Sequence, residues 1–183
     1  EALKALRLNH RQYENIQLDA DSEQMLDDVN GACLDLMLEV EPPTAGLFGL
    51  KVRCAPDGQE QTVITFDSAT GKLSIDTSRS TLSDKVAQPW PGPYFSSFLE
   101  TPEGRTDIRV QQAPLTLLPG EPLRLQIFLD RSMLEVFANG RQCMTQRIYP
   151  TRSDSLGVSL FSSGAHSVVK GLDAWDMAAT NPW

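Results

Sequence analysis

Leu123 to Pro150 reads LRLQIFLDRSMLEVFANGRQCMTQRIYP. Leu123, Leu125, Ile127 and Leu129 alternate with Arg124, Gln126, Phe128 and Asp130, the period of two expected of a strand with one face in a core. Asp130-Arg131-Ser132 is polar and turn-compatible, because Asp and Ser side chains bond to the backbone of a turn. Met133, Glu135 and Phe137 then alternate with Leu134, Val136 and Ala138 as far as Asn139-Gly140. An Asn-Gly pair between alternating runs predicts a hairpin, since a type I′ turn needs positive φ at both central positions. A third run, Gln142 to Ile148, stops before Pro150. The segment predicts an antiparallel meander.

The flanking sequence agrees with it. From Ala32 to Glu41, Leu34, Leu36, Leu38 and Val40 alternate with polar partners, Met37 excepted. Leu47–Cys54 and Gln61–Phe66 are β-rich, and Asp67 to Gly71 is a hairpin loop leading into Lys72–Thr77. Leu156–Phe161 and Val168–Met177 follow the meander, with Gly164 in the turn between them. Helical periodicity is confined to a turn or two within Ala2–Leu8 and Ser22–Val29. Many short strands at regular spacing predict an all-β chain, an antiparallel β-sandwich of two packed sheets in the jelly-roll or concanavalin manner. A parallel sheet would need crossover helices.

Composition narrows the function classes. At 183 residues the chain suits one domain, able to bury roughly 70% of its unfolded surface. A net charge of −8 speaks against nucleic-acid binding, which calls for a basic stripe. There is no apolar run of about 18 residues, the length that spans a membrane. Glu1-Ala-Leu-Lys has neither an initiating Met nor an apolar leader, the mark of a fragment or a processed chain. Cys33, Cys54 and Cys143 all sit in strand patterns and read as small buried hydrophobes. One disulfide plus a free thiol is the alternative.

One stretch breaks the β pattern. Gln88 to Arg105 holds Pro89, Pro91, Pro93 and Pro102 together with Trp90, Tyr94, Phe95 and Phe98. Prolines remove ladder donors, so this is a loop. Trp90, Tyr94 and Phe95 are the candidate carbohydrate-binding residues, because rigid rings give stacking area at low entropic cost. The plainer reading has these rings folding back to cap the end of the core.

Candidate chemistry is sparse. Two carboxylates hydrolyse a glycoside when about 5 Å apart (retaining) or roughly 6.5–9.5 Å apart (inverting). Asp130 and Glu135 flank a tight turn and are the pair to consider. Asp130 reads better as a turn residue, and Glu135 as a strand residue paired with Arg124 or Arg147. His10 and His166 are isolated, and nothing near them has metal-ligand spacing, so neither a metal nor a cofactor is expected. Phosphate loop, dinucleotide fingerprint and nucleophile elbow are all lacking.

Ile127 to Arg141, IFLDRSMLEVFANGR, followed by Thr145 to Pro150, TQRIYP, resembles the C-terminal β-sandwich of glycoside hydrolase family 32, the invertases, levanases, inulinases and related β-fructosidases. Leu172 to Met177, LDAWDM, is similar to the family's closing strand. Asp76 to Leu82, DTSRSTL, resembles its mid-domain Arg-Ser pattern, and Glu1 to Arg7, EALKALR, the connector leading out of the catalytic domain. The Asp130, Arg131, Ser132, Glu135 and Phe137 core of the match is fairly specific. The other pieces are weak singly but occur in the right order. Gln88–Arg105 is longer than the usual link before Ala113-Pro114-Leu115.

The resemblance implies a role away from the chemistry. Family enzymes carry their nucleophile, transition-state stabiliser and acid/base in an N-terminal five-bladed propeller, within W-x-N-D-P-N-G-like, R-D-P and E-C motifs absent from this sequence. No catalytic residue carries over; Asp130 and Glu135 fall on structural positions. The expected organisation is a connector over residues 1–12 and one sandwich over 13–183. The expected partner is a catalytic propeller lying before Glu1. A homo-oligomer, through the apolar patch that a missing propeller bares, and a fructan or other sugar are further expected partners; nucleic acid and membrane are not.

Overall fold

The computed structural model describes residues 2–86 and 109–179. After a 3-10 turn at Ala2–Leu6 come twelve strands. These are β1 (Arg7–Leu18), β2 (Ser22–Asn30), β3 (Cys33–Glu41), β4 (Leu47–Cys54), β5 (Thr62–Asp67) and β6 (Lys72–Asp76). They continue as β7 (Val110–Pro114), β8 (Leu123–Asp130), β9 (Met133–Ala138), β10 (Gln142–Arg147), β11 (Gly157–Ser163) and β12 (Ser167–Met177). One six-stranded sheet runs β1-β12-β3-β8-β9-β10, the other β2-β11-β4-β5-β6-β7, and every pairing is antiparallel.

The meander forms in register. Leu129 stands opposite Leu134 and Ile127 opposite Val136 on the inward face, while Phe128 opposes Glu135 outside. Asn139 and Gly140 turn with φ of 49° and 63°, the mirror-image geometry that the Asn-Gly pair predicts. Leu34, Leu36, Leu38 and Val40 of β3 pair with the inward Leu129, Ile127, Leu125 and Leu123 of β8. Across the core, Phe48, Leu50, Ile64 and Leu73 of the second sheet are fully buried against them. Burying these interdigitated inner faces is the main favourable contribution to such a fold.

Two readings of the sequence change. Ser22–Val29 is not helical: Ser22–Asn30 is edge strand β2. Its apolar Leu26 and Val29 lie three apart because an irregularity in its pairing with β11 inserts extra residues, which mimics a helical spacing. Residues 7–12, expected in the connector, are the first half of β1 and are hydrogen-bonded along β12 from Arg7 opposite Met177. A register shift between Leu8 and Arg11, with Asn9 at φ 49°, erases the alternation that would have marked this strand.

The free thiols also differ among themselves. Cys54 is buried and Cys33 half-buried, but Cys143 is exposed on edge strand β10, so it is not a core hydrophobe, and none of the three is in a disulfide. Burial pushes the Cys54 thiol up to about 11, which makes it inert at neutral pH.

Candidate functional site

β1 opens at Arg7 opposite Met177, and β12 sets Asp176 opposite Leu34. Cys33 in turn stands opposite Asp130. The chain therefore joins the first sheet at the end that also carries the Asp130-Arg131-Ser132 turn, here termed the leading end. Outward side chains of the first sheet gather there because strand residues alternate between faces.

Asp35, on the outward face of β3, is only 1% exposed. Arg7 covers it, with Nε and Nη2 donating to Oδ2 at 2.8 and 2.7 Å, and Gln126 Nε2 donates to Oδ1 at 3.2 Å. Three donors on one buried carboxylate satisfy a charge that would be costly alone. The same Arg7 guanidinium lies over the Trp175 ring, 3.9 Å from its centroid. His10 stacks on that ring at 4.7 Å with an interplanar angle of 7°, and its Nε2 lies 2.6 Å from Asp173 Oδ1. Arg11 Nη2 donates to Asp176 Oδ1 at 2.6 Å and Asn9 Nδ2 to Oδ2 at 2.8 Å, and these bonds, Arg11's foremost, hold the Asp176 carboxyl below the usual range. The strand that begins the domain is thus clamped to its closing strand by ion pairs and ring stacking.

The motif residues lie beside this clamp. Arg131, at φ 54°, donates its backbone N–H to Ala32 O at 2.7 Å, and Ser132 O accepts from Ile148 N at 2.9 Å. The turn therefore ties the β2–β3 connection to the end of β10. Asp130 is exposed, and its Oδ1 accepts from Cys33 Sγ at 3.6 Å. Burial, then the Asp130 charge, pushes the Cys33 thiol up. Phe137 meets Phe128 edge to face, with centroids 6.1 Å apart at 85°. Glu135 is half-buried between Phe128 and Thr145 and does not pair with the expected arginines. Arg124 Nε instead donates to Glu39 Oε2 at 2.8 Å, and Arg147 stands opposite Met133. Asp130 and Glu135 share the outward face on successive strands. Trp90, Tyr94 and Phe95 lie outside the described residues.

Glu60 is the residue the sequence reading missed. It is fully buried behind the leading end. Its carboxylate accepts from Leu82 N at 3.1 Å, Thr151 N at 2.7 Å, Thr151 Oγ1 at 2.6 Å, Arg152 N at 3.1 Å and Ser155 Oγ at 2.5 Å. Burial pushes its carboxyl up, but the bonds from Ser155, Thr151 and Arg152 outweigh burial and leave it below the usual range. It pins the β10–β11 loop to the segment after β6. No periodic signal announces such a residue, because its donors come from loops distant in sequence. Among the described residues no group of His, Cys, Asp and Glu is placed to hold a metal ion.

Two six-stranded antiparallel sheets packed face to face, with a clamped first strand and a motif turn beside it, define a β-sandwich module. A family profile described as "Glycosyl hydrolases family 32 C terminal" matches residues 2–176. The levanase of Bacillus subtilis is 32% identical over 174 residues, covering 93% of this chain and 22% of that protein. Beta-fructofuranosidase 1 of Zea mays is 45% identical over 65 residues, 34% of this chain and 10% of that protein. Fructan 1-exohydrolase IIa from Cichorium intybus superposes with a TM-score of 0.77 at 20% identity, over 97% of this chain and 37% of that one. Exo-inulinase from Aspergillus awamori gives 0.72 at 22% identity, over 99% and 32%. The chain belongs to glycosyl hydrolase family 32, as its C-terminal β-sandwich domain. It spans only 22% of the length of the levanase it matches.

Proposed function

We propose that this domain is the non-catalytic support of a β-fructosidase-type glycosidase, holding a catalytic domain N-terminal to it in the longer polypeptide. The observation that carries the reading is the Arg7–Asp35 clamp: the strand by which the chain joins the sandwich is anchored by a buried ion pair within its first residue. Such an anchor lets the sandwich set the orientation of whatever precedes it. The candidate site residues Asp130, Arg131, Ser132, Glu135 and Phe137 act here as structure beside that junction.

The purified chain is expected to release no fructose from sucrose, inulin or levan, and release of fructose would overturn the reading. Deleting the sandwich from the full polypeptide is expected to lower the temperature at which fructosidase activity is lost. Following tryptophan fluorescence during a fructan titration tests the sugar-binding role of Trp90, Tyr94 and Phe95: a saturable change would move the function from support to carbohydrate binding. Light scattering across concentration measures whether the chain also self-associates through exposed Leu8, Met37 and Phe137.

A further inference from the structure

Arg53, the penultimate residue of β4, is only 8% exposed. Its Nε is sealed from solvent with no acceptor, and its guanidinium makes no hydrogen bond among the described residues. Its backbone is left-handed, at φ 52°. A buried guanidinium whose Nε has no acceptor and a strained backbone at the same residue are two unfavourable features, and such features persist where function requires them. Burial pulls the guanidinium below its ordinary range, against the opposing pull of Glu60 and Cys33. Glu60 is the nearby carboxylate that would ordinarily answer this charge, but its oxygens are already engaged by five donors from Leu82, Thr151, Arg152 and Ser155.

The position is informative. Cys54, next in the chain, stands opposite Gly157, and Gly157 opposite Asn30. The Asn30–Cys33 connection then leads directly to Asp130 and the Arg131 turn. Arg53 therefore lies at the leading end, the end at which the polypeptide joins the sandwich. Arg131 and Arg147 are exposed at the same end, and neither has a carboxylate partner among the described residues.

We propose that Arg53 is the receiving group of a carboxylate site at the leading end, and that the carboxylate is a side chain of the domain N-terminal to the sandwich in the longer polypeptide. This rests on the support role proposed above. The planar fork of a guanidinium matches a planar carboxylate through two parallel bonds. The acceptor is a tethered side chain and not a free acid for two reasons. The chain's net charge of −8 repels free anions. A group carried on the adjoining polypeptide reaches the mostly buried Arg53 at high effective concentration.

The test follows the backbone amide resonance of Cys54, which is present in parent and variants alike, by NMR, with acetate as the probe, in the 183-residue chain and in the full polypeptide. In the isolated chain acetate at tens of millimolar is expected to move the resonance, and R53M to abolish the response. R53K, which keeps the cation without the fork, is expected to bind acetate roughly tenfold more weakly; an undiminished response would overturn the paired geometry. In the full polypeptide the resonance is expected at the paired position without acetate and unmoved by it. A response to acetate equal in both proteins would overturn the side-chain source, and no response in either would overturn the site itself. Fructose release by the full polypeptide is measured alongside: its absence defeats the support role while leaving the isolated-chain titration to judge Arg53.

Discussion

The Arg7 guanidinium lies 3.9 Å from the centroid of the Trp175 ring while its Nε donates to Asp35 at 2.8 Å. One side chain thus joins the first strand to the closing strand and to the middle of the same sheet. The ring shields the ion pair from water, which strengthens it, and the carboxylate beneath leaves the cation oriented.

Replacing Arg7 by Met leaves Asp35, 1% exposed, as a buried carboxylate with Gln126 as its remaining donor. Breaking a buried pair from one side costs roughly 3–5 kcal/mol. The urea midpoint of R7M is expected to fall accordingly, and R7K to lie between it and the parent because one ammonium cannot serve both Asp35 and Trp175 as the fork does. A midpoint unchanged in R7M would show that the clamp contributes nothing.

Glu60 makes stability depend on acid. Its folded carboxyl lies below its ordinary value of 4.5, so the ionised form is favoured by folding. The stabilisation is fully present above the unfolded value and drains away as pH falls through the lower folded value. E60Q, which cannot ionise and accepts fewer bonds, is expected to be about 2–3 kcal/mol less stable at neutral pH. The difference between parent and E60Q is expected to shrink below pH 4.5, measured by thermal melts at each pH. A difference constant through acid would contradict the ionised hub.

Gly49 leaves room for the Phe161 ring, which crosses it from β11; a Cβ at this position would run into that ring. G49A is expected to lose about 1–3 kcal/mol by overpacking. Pairing it with F161L, which trims the ring, is expected to recover part of the loss. If the double variant were no better than the sum of the singles, the clash would not be the cause.

Much of this fold was legible. The meander over Leu123–Ala138 and the leucines of β3 alternate cleanly because one face is core and the other solvent. Edge strands β1 and β2 were not legible: register irregularities at Leu8/Arg11 and opposite Gly157/Ser159 break the period of two on which strand reading depends. The site was legible in part. Asp130-Arg131-Ser132 stood out as a turn and does make one, with Arg131 at φ 54°. The expected Glu135–arginine pair did not form, because pairing on an outward face depends on which strand lies alongside, and Arg124 finds Glu39 on β3 instead.

By itself the sequence determined that the chain is all-β, where its hairpins turn and which family its motifs belong to. The first two rest on side-chain alternation and on φ preferences, forces acting within a few residues; the family rests on the resemblance of its motifs. Tertiary structure alone decided that Arg7 reaches Asp35 across 28 positions, that Glu60 serves Thr151 across 91, and that Arg53 Nε is left buried without an acceptor. Charges find partners through space, and sheet order sets which of them meet. The period of a strand says which way a side chain points, but not what waits for it there.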